Sequence, residues 1–245
     1  MSIFRYHRRI SPLEKIPMLF LVTDTSGKQG SAALARAGEG ERDRDDVEVI
    51  EVALLAGGMF SAQLVPQIAA LLAKHRLGKA DIDAFIVVSG PGSFTGLRVG
   101  LAAIKALAEI LKKPIVAVSL LEVVATSSRS QGKVGALLDA GRGEVYFGAY
   151  EIAGESVLLL QEQLLSTSEL LSAARGFTVI TPHQTWAAVA RAAGLSVVEA
   201  EPPGAGMVAR LGWTKLQAGE TVLPEQLEAN YMRRSDAEMF VKKSL

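Results

Sequence analysis

The residues best suited to chemistry lie in a glycine-rich segment over residues 90–100, with the sequence GPGSFTGLRVG. It follows an apolar run that predicts a buried strand, and it leads into a predicted helix. Backbone N–H groups in such a turn, together with the positive end of the helix dipole, can hold an anion, which makes Gly90, Gly92 and Ser93 candidate phosphate contacts. The segment has neither the Lys-Ser/Thr pair of a Walker A loop nor the spacing of a dinucleotide-binding loop. The alternative is a tight strand-to-helix turn that uses glycine for a positive φ and close packing.

A second candidate site is the tripeptide Asp24-Thr25-Ser26, which follows the first apolar run of the chain. A carboxylate and two hydroxyls at the end of a strand can contact a nucleotide phosphate or its magnesium ion. Asp and Ser in a hairpin turn can equally hydrogen-bond to their own backbone. Both interpretations stay open at this point.

The residues that enzymes most often use as metal ligands and nucleophiles are scarce. The chain has no cysteine, and its three histidines, His7, His75 and His183, do not have the spacing of a metal site. HExxH and GxSxG motifs are absent. We therefore predict no catalytic residue and no histidine-ligated metal, while a magnesium site built from carboxylates alone stays open.

Charge and composition limit the class of partner. The 26 basic residues balance the 26 acidic ones, so the excess of positive charge that is typical of a direct nucleic-acid binder is missing. The absence of cysteine fits a reducing cytoplasm. The one long uncharged stretch, residues 52–73, is interrupted by a Gly-Gly pair and by polar residues, so we expect no membrane segment.

The apolar periodicity predicts one order of elements twice. Strand-strand-strand-helix-strand-helix-strand, followed by a helix, is predicted from residue 18 and again from residue 134. This order predicts an α/β protein of two lobes with mixed sheets covered by helices and with the site in the cleft between them. We expect a flexible extension over residues 1–17, an N-terminal lobe over 18–118, and a C-terminal lobe with a tail over 119–245.

Two predicted helices carry more apolar surface than one lobe needs. The helix predicted from residue 95 to residue 111 is apolar around most of its circumference, which requires cover on more than one side. The helix predicted from residue 61 to residue 75 has a face of small residues. Docking of a partner on these helices competes with full burial inside the monomer. The candidate interface residues are Ala62, Ala69, Ala70, Ala73, Val99, Ala103, Ala106, Leu107 and Ile110.

Four segments together resemble a known family. They are residues 20–26 (FLVTDTS), 90–100, 118–122 (VSLLE) and 139–146 (DAGRGEVY). The chain resembles the TsaB family of bacterial tRNA threonylcarbamoyladenosine biosynthesis proteins over residues 18–236. The resemblance implies an actin/Hsp70-like (ASKHA) fold with two RNase-H-like lobes.

The resemblance also implies a noncatalytic role. The family assists a homologous catalytic subunit, TsaD, together with an ATPase, TsaE, in transferring threonylcarbamoyl to the adenosine beside the anticodon of tRNAs that read codons beginning with A. Leu120 and Val124 stand at the positions where the catalytic paralogue has its two metal-binding histidines. ATP, ADP and metal are then expected in the partner subunits and no cofactor in this one.

The family further implies how the chain assembles. The two apolar helices are expected to bind the catalytic paralogue, or a second copy of the chain when it is alone, with tRNA contacted mainly through the complex in the cytoplasm. The alternative is an enzyme of the same fold, either an ATP-dependent phosphotransferase or a peptidase. A direct tRNA-binding module is a third hypothesis.

Overall fold

The computed structural model describes residues 17–38 and 47–233. The predicted extension before the first strand, except Pro17, and the last twelve residues of the predicted tail lie outside these ranges. None of the helices within them is long and apolar enough to cross a membrane.

The first sheet has five strands in the order β3-β2-β1-β4-β5. Strand β1 runs antiparallel to β2 and parallel to β4, so the sheet is mixed as predicted. Continuous apolar runs form its central strands because helices cover both faces of the sheet. The strands are β1 (Met18–Asp24), β2 (Gly30–Ala37), β3 (Val47–Leu55), β4 (Ala84–Gly90) and β5 (Ile115–Ser119).

The second sheet repeats this topology with the strand order β10-β9-β6-β7-β8. Three antiparallel strands again precede two strands parallel to the first of them. The predicted duplication of an α/β lobe is therefore confirmed at the level of topology. The strands are β6 (Gly132–Gly141), β7 (Glu144–Ala153), β8 (Ser156–Ser166), β9 (Thr178–Thr181) and β10 (Ser196–Glu199).

The helices and sheets form five layers. Helices α1 and α2 cover the outer face of the first sheet, α3 and α6 lie between the two sheets, and α4 and α5 cover the outer face of the second. The sequence division at residues 118 and 119 does not follow this packing, because α6 comes last in the chain and packs on the first sheet. The helices are α1 (Phe60–Lys74), α2 (Phe94–Leu111), α3 (Leu120–Thr126), α4 (Thr167–Ala173), α5 (Gln184–Ala192) and α6 (Ala205–Gln217).

The central layer joins the lobes through one continuous apolar cluster. It contains side chains of both sheets together with α3 and α6. Phe20 on β1 meets Trp213 on α6 with ring centroids 5.3 Å apart. Close approach of α6 to the sheet depends on Gly212, where an added Cβ would lie 2.4 Å from Cγ2 of Ile86 on β4.

We expect Gly212→Ala to lower the free energy of unfolding by roughly 1–3 kcal/mol, since overpacking forces a shift of the helix or the strand. Gly206 lies on the same helix, and a Cβ there would be in ordinary contact, 3.5 Å from Val49. Gly206→Ala is therefore the matched control, and it should leave the stability unchanged or raise it by up to about 1 kcal/mol through helix propensity. Urea denaturation of both variants measures the difference, and equal effects would contradict this account of the α6 packing.

Candidate partner interface and interlobe cleft

Helices α1 and α2 bury one side each against the first sheet. Leu64, Ile68 and Leu71 of α1 and Leu97 and Ile104 of α2 are at most 5% exposed. Their spacing of three and four residues places them on one stripe of each helix. Helix α2 begins at a Ser93 N-cap, whose Oγ accepts a hydrogen bond from the Gly96 N–H at 3.2 Å.

The opposite side of both helices is apolar as well, and it is open to solvent. Val65 on α1 is 54% exposed and Ile110 on α2 is 71% exposed. We call this surface the α1–α2 face. Six of its members are exposed in addition to Val65, and Val99, Ala103 and Leu107 are half-buried. The exposed six are Ala62, Ala69, Ala70, Ala73, Ala106 and Ile110.

All nine candidate interface residues thus lie on this face, and three of them, Val99, Ala103 and Leu107, also pack in part against the core of the lobe. Val65 and Pro66, which the predicted set does not include, are also exposed between Ala62 and Ala69 on this face. The 100° helical periodicity that identified the alanines could have found both, because they stand three and four residues beyond Ala62.

The outer helices of the second lobe provide an internal comparison. The exposed positions of α4 are all polar, and three of the five exposed positions of α5 are polar. They are Thr167, Ser168, Glu169 and Ser172 on α4, and Gln184, Thr185, Ala188, Arg191 and Ala192 on α5. A polar outer face is the ordinary pattern for a helix that meets water. Large apolar side chains are exposed on α1 and α2, at Val65 and Ile110, and none is exposed on α4 or α5.

Charged and aromatic side chains border the α1–α2 face. The Arg98 guanidinium lies 3.7 Å from the centre of the Phe94 ring, and its Nε donates a hydrogen bond to the Tyr231 hydroxyl at 3.2 Å. Phe94 and Tyr231 stack with their centroids 4.8 Å apart. The segment that follows α6 is thereby fixed against α2.

The Asp24-Thr25-Ser26 turn is held by its own hydrogen bonds. Oδ1 of Asp24 accepts from the backbone N–H of Ser26 at 2.8 Å and from its hydroxyl at 2.6 Å. Thr25 and Ser26 are 2% and 4% exposed. Burial raises the pKa of the Asp24 carboxyl, and the hydrogen bonds from Ser26 offset part of that increase.

The glycine-rich segment packs directly on this turn. The Ser93 N–H donates to the Ser26 carbonyl at 2.7 Å, and a Cβ at Gly96 would lie 2.0 Å from the Thr25 carbonyl oxygen. Gly90 has a φ of +137°, which L-residues with a side chain rarely adopt. These contacts give the glycines a packing role of the kind set out as the alternative to a phosphate cradle.

A cleft of about 1260 Å³ separates the two lobes. Of the six candidate phosphate contacts, Ser26, Gly92 and Ser93 line it, whereas Asp24, Thr25 and Gly90 do not. The second lobe contributes Asp139, whose carboxylate accepts from Trp186 Nε1 at 3.0 Å, and this hydrogen bond lowers the Asp139 pKa.

The rim of the cleft carries more positive than negative charge. Lys28, Arg142 and Arg233 line it with the carboxylate of Asp139, and the charge of Arg233 is offset by an ion pair with Glu144. The remaining excess of positive charge is small and favours an anion over a cation. Within the described ranges, no three His, Asp or Glu side chains are grouped closely enough to hold a metal ion. Leu120 and Val124 are 8% and 0% exposed and belong to the central apolar cluster.

The pKa of Asp24 leads to a prediction about stability. A carboxyl whose pKa is raised on folding stabilises the fold only at low pH, and this contribution is lost as the pH rises through the interval between the unfolded and folded pKa values. The amide of Asp24→Asn does not ionise, so this variant does not lose that stabilisation. The free energy of unfolding of Asp24→Asn minus that of the wild type should therefore increase from acid pH to neutrality. Urea denaturation across this range measures the effect, with Glu151→Gln on exposed Glu151 of β7 as the control. Parallel pH profiles for Asp24→Asn and the wild type would contradict it.

Comparison with known proteins places the chain in a family. Residues 55–193 match the family model described as TsaD: tRNA N6-adenosine threonylcarbamoyltransferase. The chain is 34% identical over 135 residues to the tRNA threonylcarbamoyladenosine biosynthesis protein TsaB of Bacillus subtilis (strain 168), covering 55% of this chain and 56% of that protein. It is 28% identical over 187 residues to the protein of the same description from Escherichia coli (strain K12), covering 71% of this chain and 81% of that protein.

A solved structure agrees with these matches along most of the chain. The crystal structure of an uncharacterized Pseudomonas aeruginosa protein with similarity to peptidase YEAZ superposes with a TM-score of 0.67 at 26% identity, covering 88% of this chain and 100% of that one. The aligned region of the B. subtilis protein is little more than half of its length. Since the family model matches more than half of the chain, the chain belongs to the TsaD family, and its relatives identify it as a TsaB-type member.

Proposed function

We propose that the chain is the noncatalytic partner subunit of a tRNA-modifying transferase. It would bind a TsaD-type catalytic paralogue and support the transfer of threonylcarbamoyl to the adenosine beside the anticodon of tRNAs that read codons beginning with A. The relatives in B. subtilis and E. coli are named as tRNA threonylcarbamoyladenosine biosynthesis proteins, which supports a role of this chain in the same process.

The observation that carries the proposal is the α1–α2 face. It presents Ala62, Ala69, Ala73 and Ala106 at the surface of two neighbouring helices, and small residues allow the backbones of two helices to approach closely. Exposed apolar surface of this kind marks sites of protein association. A homologous subunit with a similar pair of helices is the partner that fits such a face best.

The positions of Leu120 and Val124 support the noncatalytic part of the proposal. Both are packed into the central apolar cluster at the start of α3. A metal ion cannot be bound by these side chains, whereas the catalytic paralogue is expected to use histidines at the matching positions. This subunit would then need no cofactor of its own, with ATP, ADP and metal bound by its partners.

The remaining parts of the assembly follow from the proposed role. A TsaE-type ATPase would be the third component, and tRNA would be contacted mainly through the complex. A subunit that acts on tRNA in this way would work in the cytoplasm. In the absence of the paralogue, the same face would pair two copies of the chain.

An enzyme of the same fold is the second candidate function, and the positively charged rim of the cleft favours its phosphotransferase form. Purified chain would then hydrolyse ATP or transfer its phosphate without any partner, and Asp24→Ala would abolish the reaction. Under the noncatalytic proposal we expect no ATP turnover above a buffer control. Steady turnover that Asp24→Ala removes would replace the subunit proposal with this one.

We expect Ala69→Arg and Ala103→Glu to weaken association with the catalytic paralogue at least tenfold, a loss of about 1.4 kcal/mol or more. Each places an unpaired charge within an apolar contact, which is costly. Co-purification and calorimetric titration with the paralogue measure the effect. Ala188→Arg and Ala192→Glu on α5 are matched controls, since both alanines are exposed on the other lobe.

Circular dichroism establishes that each variant is folded, so that loss of binding is not loss of structure. Unchanged affinity for both α1–α2 variants would overturn the interface. Equal losses in the α5 controls would show that the charge, and not its position, is responsible.

Self-association provides an independent prediction for the same face. In sedimentation experiments on the isolated chain we expect a dimer that dissociates on dilution. Ile110→Asp should raise the dissociation constant of this dimer at least tenfold. Leu158 on β8 is 57% exposed. Leu158→Asp is therefore the control, because it places the same charge at an exposed apolar side chain of the other lobe. A dimer that Ile110→Asp leaves intact would contradict the use of this face.

A further inference from the structure

A second cavity, of about 460 Å³, lies far from the interlobe cleft and from the α1–α2 face. It is lined by Gln131 and Ile152, whereas the cleft is lined by Asp139 and Tyr146. The two cavities are thus at opposite ends of strands β6 and β7. The volume is within the range of small-molecule sites. We call this cavity the α3–α6 pocket, because the C-terminal end of α3 and the first half of α6 form its walls.

The floor of the α3–α6 pocket is apolar and its rim is charged. Val123, Ile152 and Leu211 are at most 6% exposed and form the floor. Arg129, in the loop after α3, and Arg210, on α6, both line the pocket and are both exposed. Within residues 17–38 and 47–233, neither guanidinium has a hydrogen-bonding or ion-pair partner.

The loop that carries Arg129 is fixed on both sides of that residue. The Ser128 hydroxyl donates to the Ser130 hydroxyl at 2.9 Å. Gln131 Oε1 accepts from the Gly154 N–H at 2.7 Å, which ties the loop to the turn between β7 and β8. The Ser130 hydroxyl accepts in this arrangement, so its own proton can be donated to a ligand. The fixed loop therefore holds one available donor, the Ser130 hydroxyl, at the wall of the pocket.

One carboxylate, Glu155, also lines the pocket. With the two arginines it leaves a net charge of +1, and it can accept hydrogen bonds from hydroxyl or amino groups of a ligand. The pocket thus offers three kinds of contact: two guanidinium groups for an anion, an acceptor for a polar donor, and an apolar floor. Two forks and a hydroxyl donor suit the three terminal oxygens of a phosphate ester better than the two oxygens of a carboxylate.

We propose that the α3–α6 pocket binds a small phosphorylated organic molecule of the nucleoside monophosphate class. Its phosphate would lie between Arg129 and Arg210, its hydroxyls would donate to Glu155, and its ring would pack on the apolar floor. Arg210 belongs to a helix that packs on the first sheet, and Arg129 follows the helix that packs on the second. The bound phosphate would therefore bridge the lobes at this end. The proposal does not depend on the role of the α1–α2 face.

Calorimetric titration of the full chain with adenosine 5′-monophosphate, adenosine and inorganic phosphate tests the proposal. We expect the monophosphate to bind at least tenfold more tightly than adenosine, because adenosine lacks the charged group, and its affinity to fall as salt is added. Inorganic phosphate binding as tightly as the monophosphate would show a free-phosphate site and overturn the nucleotide class. No heat from any of the three, or equal affinity for adenosine, would overturn the proposal as a whole.

Variants then locate the site. Arg129→Ala and Arg210→Ala should each weaken monophosphate binding roughly tenfold or more, since each removes a charge-assisted hydrogen bond. Arg175→Ala removes an exposed arginine from the turn after α4 and is the control for net charge. Lys28→Ala tests the interlobe cleft. Binding that persists in both pocket variants and is lost in Lys28→Ala would assign the ligand to the cleft and overturn the α3–α6 site.

Discussion

The burial of α3 and α6 between the two sheets is the constraint on which the rest of the structure depends. Helix α3 contacts strands of both sheets, α6 packs on the first sheet and against α3, and both helices add side chains to one continuous apolar cluster. With these two helices in the middle, each sheet has only its outer pair of helices left to cover its second face. Helices α1 and α2 therefore form the outer layer of this lobe. The turn at Pro224–Gln226 packs on α2 as well, while Val65 and Ile110 stay exposed. The α1–α2 face is apolar because these helices form an outer layer and have alanine at exposed positions where polar residues are usual.

The elements and the fold could be predicted from the sequence, but the layer to which each helix belongs could not. Apolar spacing identifies α6 as a helix from its valine, leucine and tryptophan positions, and this signal has no information about which sheet receives them. Chain order suggested the second lobe, whereas α6 packs on the first. Gly212 is the residue that permits the close approach, and a lone glycine in a helical pattern gives little warning of such a role.

The candidate site was predictable to a different degree in its two parts. The alanines of the α1–α2 face follow from helical periodicity alone, because a two-sided apolar helix requires a second covering surface. The glycine-rich segment could not be interpreted in the same way. A phosphate cradle and a closely packed turn both require glycine, so spacing does not separate them. The packing role of Gly96 follows from the 2.0 Å between a Cβ there and the Thr25 carbonyl oxygen, a distance between residues that the sequence does not bring together. The phosphate contacts at Gly92 and Ser93 stay a prediction.

Helix α2 physically connects the candidate interface with the interlobe cleft. Its N-terminal residues Ser93 and Gly96 line the cleft, and its outer side belongs to the α1–α2 face. Arg98 on the same helix donates a hydrogen bond to Tyr231. The adjacent Asn230 is fixed by two more hydrogen bonds. Its backbone N–H donates to Ser89 O at 2.8 Å, and its side chain donates to Glu162 on β8. A partner that binds the α1–α2 face would thus contact a helix that is bonded, through one short segment, to the second lobe. Through these contacts, a displacement of α2 would be transmitted to β8 of the second lobe.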